Sequence, residues 1–312
     1  MRFVLPIVLV ICCACGRDRT PAPDIRLEPG EFTVELNGLK LWFKVSGRGP
    51  VCLMPTPAWG PSSDLYFRTL QRLEDIFTVV YLDSRGTGRS ARAKSPAQYT
   101  WDHLVSDLDA LRAYLRLDSI WLMGHSEGGT QVLHYATRFP DRVRGLVLLS
   151  TTAVADAESE ADTEARMMRR RGQAWFPDAV KALRASAGTD AEMAANVRAF
   201  LPLYWSDPSR IDKHREHFEA TSMSVQAAAG QSASRRYPFD VRAQLRQVMA
   251  PALIVVGDDD FICSPAAARR LHLSLPNSKL LLIEGAGHFP WLEQPEAFNS
   301  QVPSFLASLA KR

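Results

Sequence analysis

Apolar and polar positions follow two rhythms along this chain. Residues 51–54, 77–82, 120–123, 146–149, 253–256 and 279–283 are short, nearly unbroken apolar runs, each of the length of a buried strand. Stretches of helical periodicity lie between them, and strands that alternate with helices predict a mostly parallel sheet with helices on both faces. One such helix follows Thr100, a good N-cap: Leu104, Leu108, Leu111 and Leu115 recur at spacings of three and four and form one core-facing stripe. Ahead of these units, residues 32–36 and 39–45 are strand-like and flank Asn37-Gly38. That dipeptide suits a type I′ turn, whose two central residues need positive φ, so an antiparallel hairpin is expected to open the domain.

The alternation stops between residues 150 and 249, where helical patterns rich in Ala, Arg and Glu take over, as at 163–171 and 191–201. Strands resume at Leu253, so this stretch reads as a cap of residues 154–249 inserted into one core of residues 31–153 and 250–312, not as a terminal second domain. The chain's start has another pattern. Met1-Arg2 carries one positive charge, and residues 3–14 are then almost wholly apolar. That run is too short to span a bilayer, and it reads as a signal peptide of residues 1–14. It resembles a bacterial lipoprotein signal whose box would be Cys12-Cys13-Ala14-Cys15, although Cys12 stands where such signals usually have Leu. The resemblance implies export to a bacterial cell envelope and a lipid anchor at Cys15. Residues 15–30, with Pro21, Pro23 and Pro29 and no apolar period, read as a tether.

Composition removes several function classes. A chain of 312 residues that is 46% hydrophobic and 23% charged is neither collagen-like nor disordered. Its 37 Lys and Arg against 34 Asp and Glu are dispersed and give only +3, which argues against nucleic acid as a partner. Of five cysteines only Cys52 and Cys263 lie beyond residue 15, too few for a disulfide scaffold or a zinc site. The two sit far apart in the expected sheet, and both read as buried free thiols.

The chemistry gathers after the strand at 120–123. Gly124-His125-Ser126-Glu127-Gly128-Gly129 places a serine between an apolar strand and a helical stretch, with glycines on both sides, as a nucleophile elbow requires. A serine hydroxyl is a weak nucleophile and needs a base, which in turn needs an orienting group. Among seven histidines the outstanding base is His288, in Gly285-Ala286-Gly287-His288-Phe289 just after the last apolar run. His125 adjoins the serine but is expected to point away from the site; His103, His134, His214, His217 and His272 lie in helical patterns. The acid should follow the strand at 253–256, from Asp258, Asp259 or Asp260. The chain order of serine, acid and histidine fits the hydrolase with a parallel sheet and no other common triad.

On these motifs the chain resembles the α/β-hydrolase superfamily, and within it the proline iminopeptidase group and related serine hydrolases, from about Phe32 to the C-terminus. The resemblance implies a mostly parallel eight-stranded sheet with helices on both faces and an inserted helical cap. The family's G-x-x-D then Pro falls on Gly257, Asp260 and Pro265, its G-A-G-H on Gly285 to His288, and its D-x-R-G-x-G-x-S on Asp83 to Ser90. Carried over residue by residue, Ser126 would be the nucleophile, His288 the base and Asp260 the orienting acid. The oxyanion would be met by the backbone N–H of Glu127 and of a residue in the loop after the first parallel strand. There the chain departs from the family's H-G-G-P-G, reading Pro55-Thr56-Pro57-Ala58-Trp59-Gly60-Pro61. If Pro55 replaces the family's His, the donor falls on Pro57, which has no N–H; if Thr56 does, the donor is Ala58, the preferred register.

The reaction so implied is cleavage of a small ester, amide or short peptide through an acyl-enzyme, with no metal or organic cofactor. Proline iminopeptidase-like and carboxylesterase or lactonase-type activities stay open, as does a catalytically silent homologue that binds a ligand at the envelope. Cap carboxylates Glu192, Asp207, Asp212, Glu216 and Glu219 are candidates for a substrate amine. Trp59, Trp175, Tyr204, Trp205 and Phe289 are candidates for pocket walls.

Overall fold

The computed structural model describes residues 27–234 and 236–309. The expected signal peptide, Cys15 and most of the tether lie outside the described residues. Ten strands follow in chain order: β1 (Gly30–Leu36), β2 (Leu39–Gly47), β3 (Val51–Pro55), β4 (Thr78–Leu82), β5 (Ile120–His125), β6 (Val143–Leu149), β7 (Val154–Ala155), β8 (Phe239–Asp240), β9 (Ala252–Gly257) and β10 (Ser278–Ile283). Eight form one sheet in the order β1-β2-β4-β3-β5-β6-β9-β10, antiparallel from β1 to β4 and parallel from β4 onward. The opening hairpin turns at Asn37 and Gly38 with φ of 51° and 74°, as a type I′ turn demands.

Side-chain alternation divides the core into two layers. Leu53, Leu122, Leu146, Leu148, Ile254 and Val256 face one side of the sheet, where Val105, Leu108, Leu111 and Leu115 pack with Val132 and Leu133. Met54, Met123, Val147, Leu149, Leu253 and Val255 face the other, against Leu65, Leu70, Phe298 and Val302. Helices on both faces leave no polar side for the central strands, which is why they read as continuous apolar runs. The helix Trp101–Tyr114 begins where the Thr100 hydroxyl accepts from the His103 N–H at 3.3 Å.

The cap enters between β6 and β9. It carries the helices Ala157–Met168, Phe176–Arg184, Asp190–Phe200, Arg215–Ala220 and Val225–Ala233. The short antiparallel pair β7 and β8 closes its base, with Val154 opposite Asp240. Two residues per strand leave too little pattern for this ribbon to be seen in the sequence. Among the described residues no helix is long and apolar enough to cross a membrane.

Candidate active site

The parallel strands β3, β5, β9 and β10 end on the same edge of the sheet, and each releases one loop of the site. Ligands in open α/β sheets gather at this carboxyl edge. At the end of β5, Ser126 separates the strand from the helix Glu127–Arg138 and takes φ 53° and ψ −129°. A positive φ at a non-glycine residue costs about 1–3 kcal/mol and persists only where its surroundings impose it. The Ser126 N–H donates to the carbonyls of Leu149 and Ser150 at 3.0 and 3.1 Å, and its carbonyl accepts from the Thr151 hydroxyl at 2.7 Å. Missing side chains make room for the turn: a Cβ on Gly124 would meet the Gly128 carbonyl at 2.5 Å, and one on Gly128 the Pro55 carbonyl at 2.8 Å. Ser126 is left on the wall of a cavity of about 900 Å³ between sheet and cap.

The three consecutive aspartates after β9 separate into three tasks. The Asp258 carboxylate accepts from the Gly285 N–H at 2.9 Å and fastens the histidine loop, while Asp259 pairs with Arg170 of the cap at 2.8 Å. Only Asp260 reaches the imidazole: its Oδ2 lies 2.8 Å from Nδ1 of His288, and its Oδ1 accepts from the N–H groups of Ile262 and Cys263 at 3.0 Å each. Burial opposes ionisation of Asp260, yet the imidazole and the two N–H donors hold its carboxyl below the usual range. An ionised Asp260 makes His288 Nδ1 a donor and leaves Nε2 as an acceptor. His288 lines the same cavity as Ser126.

The histidine loop is braced from beneath by residues that the motifs do not mark. His125 does not point away, as the sequence suggested; its ring lies 4.5 Å from that of His288 and reaches the cavity wall. Its Nε2 is 2.9 Å from the His288 carbonyl, which can only accept, so Nε2 carries the proton and Nδ1 accepts from the Tyr66 hydroxyl at 3.1 Å. Burial, and then the neighbouring His288, push its pKa well below the ordinary value and keep it neutral. Glu293 is equally hidden from sequence reasoning. Its buried carboxylate accepts from Gly287 N–H at 2.8 Å and from Ser206 N–H of the cap at 2.7 Å, and burial raises its pKa to about 7. The His288 N–H adds a bond to the Tyr204 carbonyl at 2.7 Å, so the loop is tied to the cap twice.

In the loop after β3, Thr56 is locked to the turn that follows β4: its hydroxyl accepts from Ser84 N–H at 2.9 Å and its carbonyl from the Ser84 hydroxyl at 2.8 Å. Pro57 lines the cavity; Ala58, the donor preferred from the sequence, is buried off the cavity wall with its N–H turned to the Glu127 carboxylate. The Glu127 carboxylate also lines the cavity, accepting from Gln231 Nε2 at 2.8 Å and pairing with Arg236 at 3.0 Å. Burial raises its pKa, and Arg236, Gln231, Tyr237 and the Ala58 N–H favour its charged form.

Of the proposed pocket aromatics, Trp59, Tyr204 and Phe289 line the cavity. Trp205 is fully buried against His214, Phe218 and Phe289, and Trp175 packs on Phe176. None of the cap carboxylates singled out in the sequence is on the cavity wall. Glu192 completes a capping box with Thr189, and Asp207 and Asp212 pair with Arg210 and Arg215. The cap carboxylates at the wall are instead Glu160, Asp162 and Glu164, on the helix Ala157–Met168. Cys52 and Cys263 are free and buried. Cys263 lines the cavity, and its thiol meets the Ser126 side chain.

The family described as alpha/beta hydrolase fold matches residues 53–295, a span that holds every residue of this site. The chain belongs to that family. It is 27% identical over 274 residues to a putative carbamate hydrolase, RutD, of Agrobacterium fabrum, covering 85% of this chain and 97% of the relative. A proline iminopeptidase of Clostridium botulinum is 28% identical over 262 residues, covering 79% and 87%. Among solved structures, an alpha/beta fold family hydrolase from Bacillus anthracis superposes with a TM-score of 0.74 at 19% identity, over 90% of this chain and 99% of that one.

In this α/β-hydrolase the D-x-R-G-x-G-x-S turn is scaffold. Asp83 is fully buried and accepts from the Ser63 N–H and hydroxyl at 2.7 and 2.6 Å and from Arg89 at 2.8 Å. Arg85 forms a two-pronged pair with Asp107, both contacts at 2.7 Å, which ties the turn to the helix Trp101–Tyr114.

Proposed function

We propose that this hydrolase is a serine hydrolase that cleaves a small ester or amide through an acyl-enzyme. The observation that carries the reading is the Asp260–His288 contact of 2.8 Å, set in the same cavity as a serine held at a strained strand-to-helix turn. Ser126 Oγ attacks the carbonyl carbon while His288 Nε2 takes its proton, and the charge on the carbonyl oxygen is met by the N–H of Glu127. The imidazolium, held by Asp260, returns the proton to the departing alcohol or amine. Water then repeats both steps on the acyl-enzyme, releasing the acid and restoring Ser126.

Apolar residues line much of the cavity, among them Leu65, Met193, Val197, Leu201 and Phe218, and they suit an acyl chain better than a charged one. A second reading, a proline iminopeptidase-like activity, is favoured by Glu160, Asp162 and Glu164, which would receive a substrate's terminal ammonium. A panel of short acyl nitrophenyl esters and aminoacyl nitroanilides separates the two. Turnover of esters with none of Pro-nitroanilide removes the peptidase, and the reverse result removes the esterase.

We also propose, on the sequence alone, export and lipid attachment at Cys15. Mass spectrometry of the membrane fraction should find a mature chain that begins with a modified Cys15; an intact Met1 would overturn this.

A further inference from the structure

Arg236 stands where the cap returns to the core after the helix Val225–Ala233, outside every motif read from the sequence. Its side chain is fully buried, and that of Glu127 is 5% exposed. Arg236 Nη2 lies 3.0 Å from Glu127 Oε1 and donates to the Ala58 carbonyl at 3.5 Å. One guanidinium nitrogen therefore touches both Glu127, whose backbone N–H would receive the oxyanion, and Ala58, whose N–H faces the Glu127 carboxylate. The Trp101 indole N–H donates to the Arg236 carbonyl at 3.0 Å, and the guanidinium lies over the Trp101 ring at 5.1 Å, so backbone and side chain are both held. Among the described residues Glu127 is the one carboxylate paired with Arg236.

A buried carboxylate next to the nucleophile creates a difficulty for catalysis. Negative charge grows on the carbonyl oxygen in the transition state, and in a water-poor site a neighbouring carboxylate opposes it strongly. We propose that Arg236 is a positioning residue of the oxyanion hole, cancelling the Glu127 charge and holding Glu127 and Ala58 together. Among the described residues Arg236 is the one cation paired with Glu127, so the arginine is the group that neutralises this side chain, while Gln231 and Tyr237 only orient it. The inference rests on the serine-hydrolase reading.

The test compares ester kinetics for R236M, R236K and the double variant R236M/E127Q. In R236M the carboxylate is left uncompensated, and kcat should fall about a hundredfold with KM within about threefold of wild type. The double variant removes the charge together with its partner and should regain at least about tenfold in kcat over R236M, a recovery that a merely structural arginine would not allow. R236M at the wild-type kcat, or a double variant no faster than R236M, overturns the proposal. Should R236M fail to fold, R236K carries the test: it keeps the positive charge and should stay within about tenfold of wild type, and a loss of about a hundredfold contradicts neutralisation. Wild-type protein that turns over neither esters nor aminoacyl nitroanilides would instead remove the underlying reading and this inference with it.

Discussion

Oδ2 of Asp260 lies 2.8 Å from Nδ1 of His288, while its other oxygen is held by the backbone N–H groups of Ile262 and Cys263. This carboxylate is fixed before it meets the imidazole, so it sets both the orientation and the tautomer of His288. Its neighbours Asp258 and Asp259 are engaged elsewhere and cannot substitute.

Replacement of Asp260 by Asn should keep the fold and reverse the tautomer. The amide would still accept from the two N–H groups but would donate to Nδ1, moving the imidazole proton to Nε2 and removing the acceptor proposed for the Ser126 proton. The expected loss is on the order of 10³–10⁴ in kcat with little change in Tm. Comparable activity in D260N would remove Asp260 from the proposed mechanism.

Glu293 predicts a specific pH dependence of stability. Its pKa is raised from 4.5 to about 7, so between these values the folded protein holds a proton that the unfolded chain has lost. This group's contribution is therefore present below about pH 4.5 and declines as pH rises to about 7. The shift corresponds to on the order of 3 kcal/mol. Denaturant melts of Glu293→Gln should show a smaller fall in stability than wild type from pH 5 to 7, and parallel curves would contradict the assignment.

The Arg85–Asp107 pair is buried on both sides, with side-chain exposures of 2% and 3%. Arg85→Leu would leave Asp107 with the Asn37 amide at 2.9 Å as its remaining side-chain donor. Removing one partner of a buried pair costs about 3–5 kcal/mol. Chemical denaturation should report a loss of this size, and an unchanged midpoint would show that the turn does not depend on the pair.

Gly128→Ala addresses the loop whose sequence departs from the family. The new Cβ would stand 2.8 Å from the Pro55 carbonyl and 3.4 Å from the Pro57 nitrogen. Stability should fall by only about 1–2 kcal/mol, while displacement of the loop should cost about a hundredfold in kcat. A variant that loses stability but keeps its activity would show that residues 55–58 do not shape the oxyanion site.

The fold was legible because both faces of the sheet are covered. Uninterrupted runs such as residues 253–256 mark buried strands, and Asn37-Gly38 fixes the opening hairpin. The turns that carry Ser126 and His288 were legible because the close backbone approach there requires glycines, which leave a written trace. His125, Glu293 and Arg236 left none. Each acts through a contact between residues distant in sequence, such as Arg236 with Ala58 or Glu293 with Ser206, and no periodicity records such a meeting. The cap carboxylates illustrate the same limit. Helical spacing cannot tell which face of a cap helix turns inward, and Glu160, Asp162 and Glu164 line the cavity in place of those chosen from the sequence.

Ser126, His288 and the oxyanion loop are proposed to act together as a nucleophilic centre. Labelling by a fluorophosphonate tests all three at once, because the phosphonyl group must be attacked by an activated serine and its oxygen must be received by the N–H donors. Folded wild-type protein should gain the mass of one phosphonyl group on Ser126, and Ser126→Ala should gain none. A folded wild-type protein that stays unlabelled, like Ser126→Ala, would contradict the account and favour a ligand-binding homologue without catalysis.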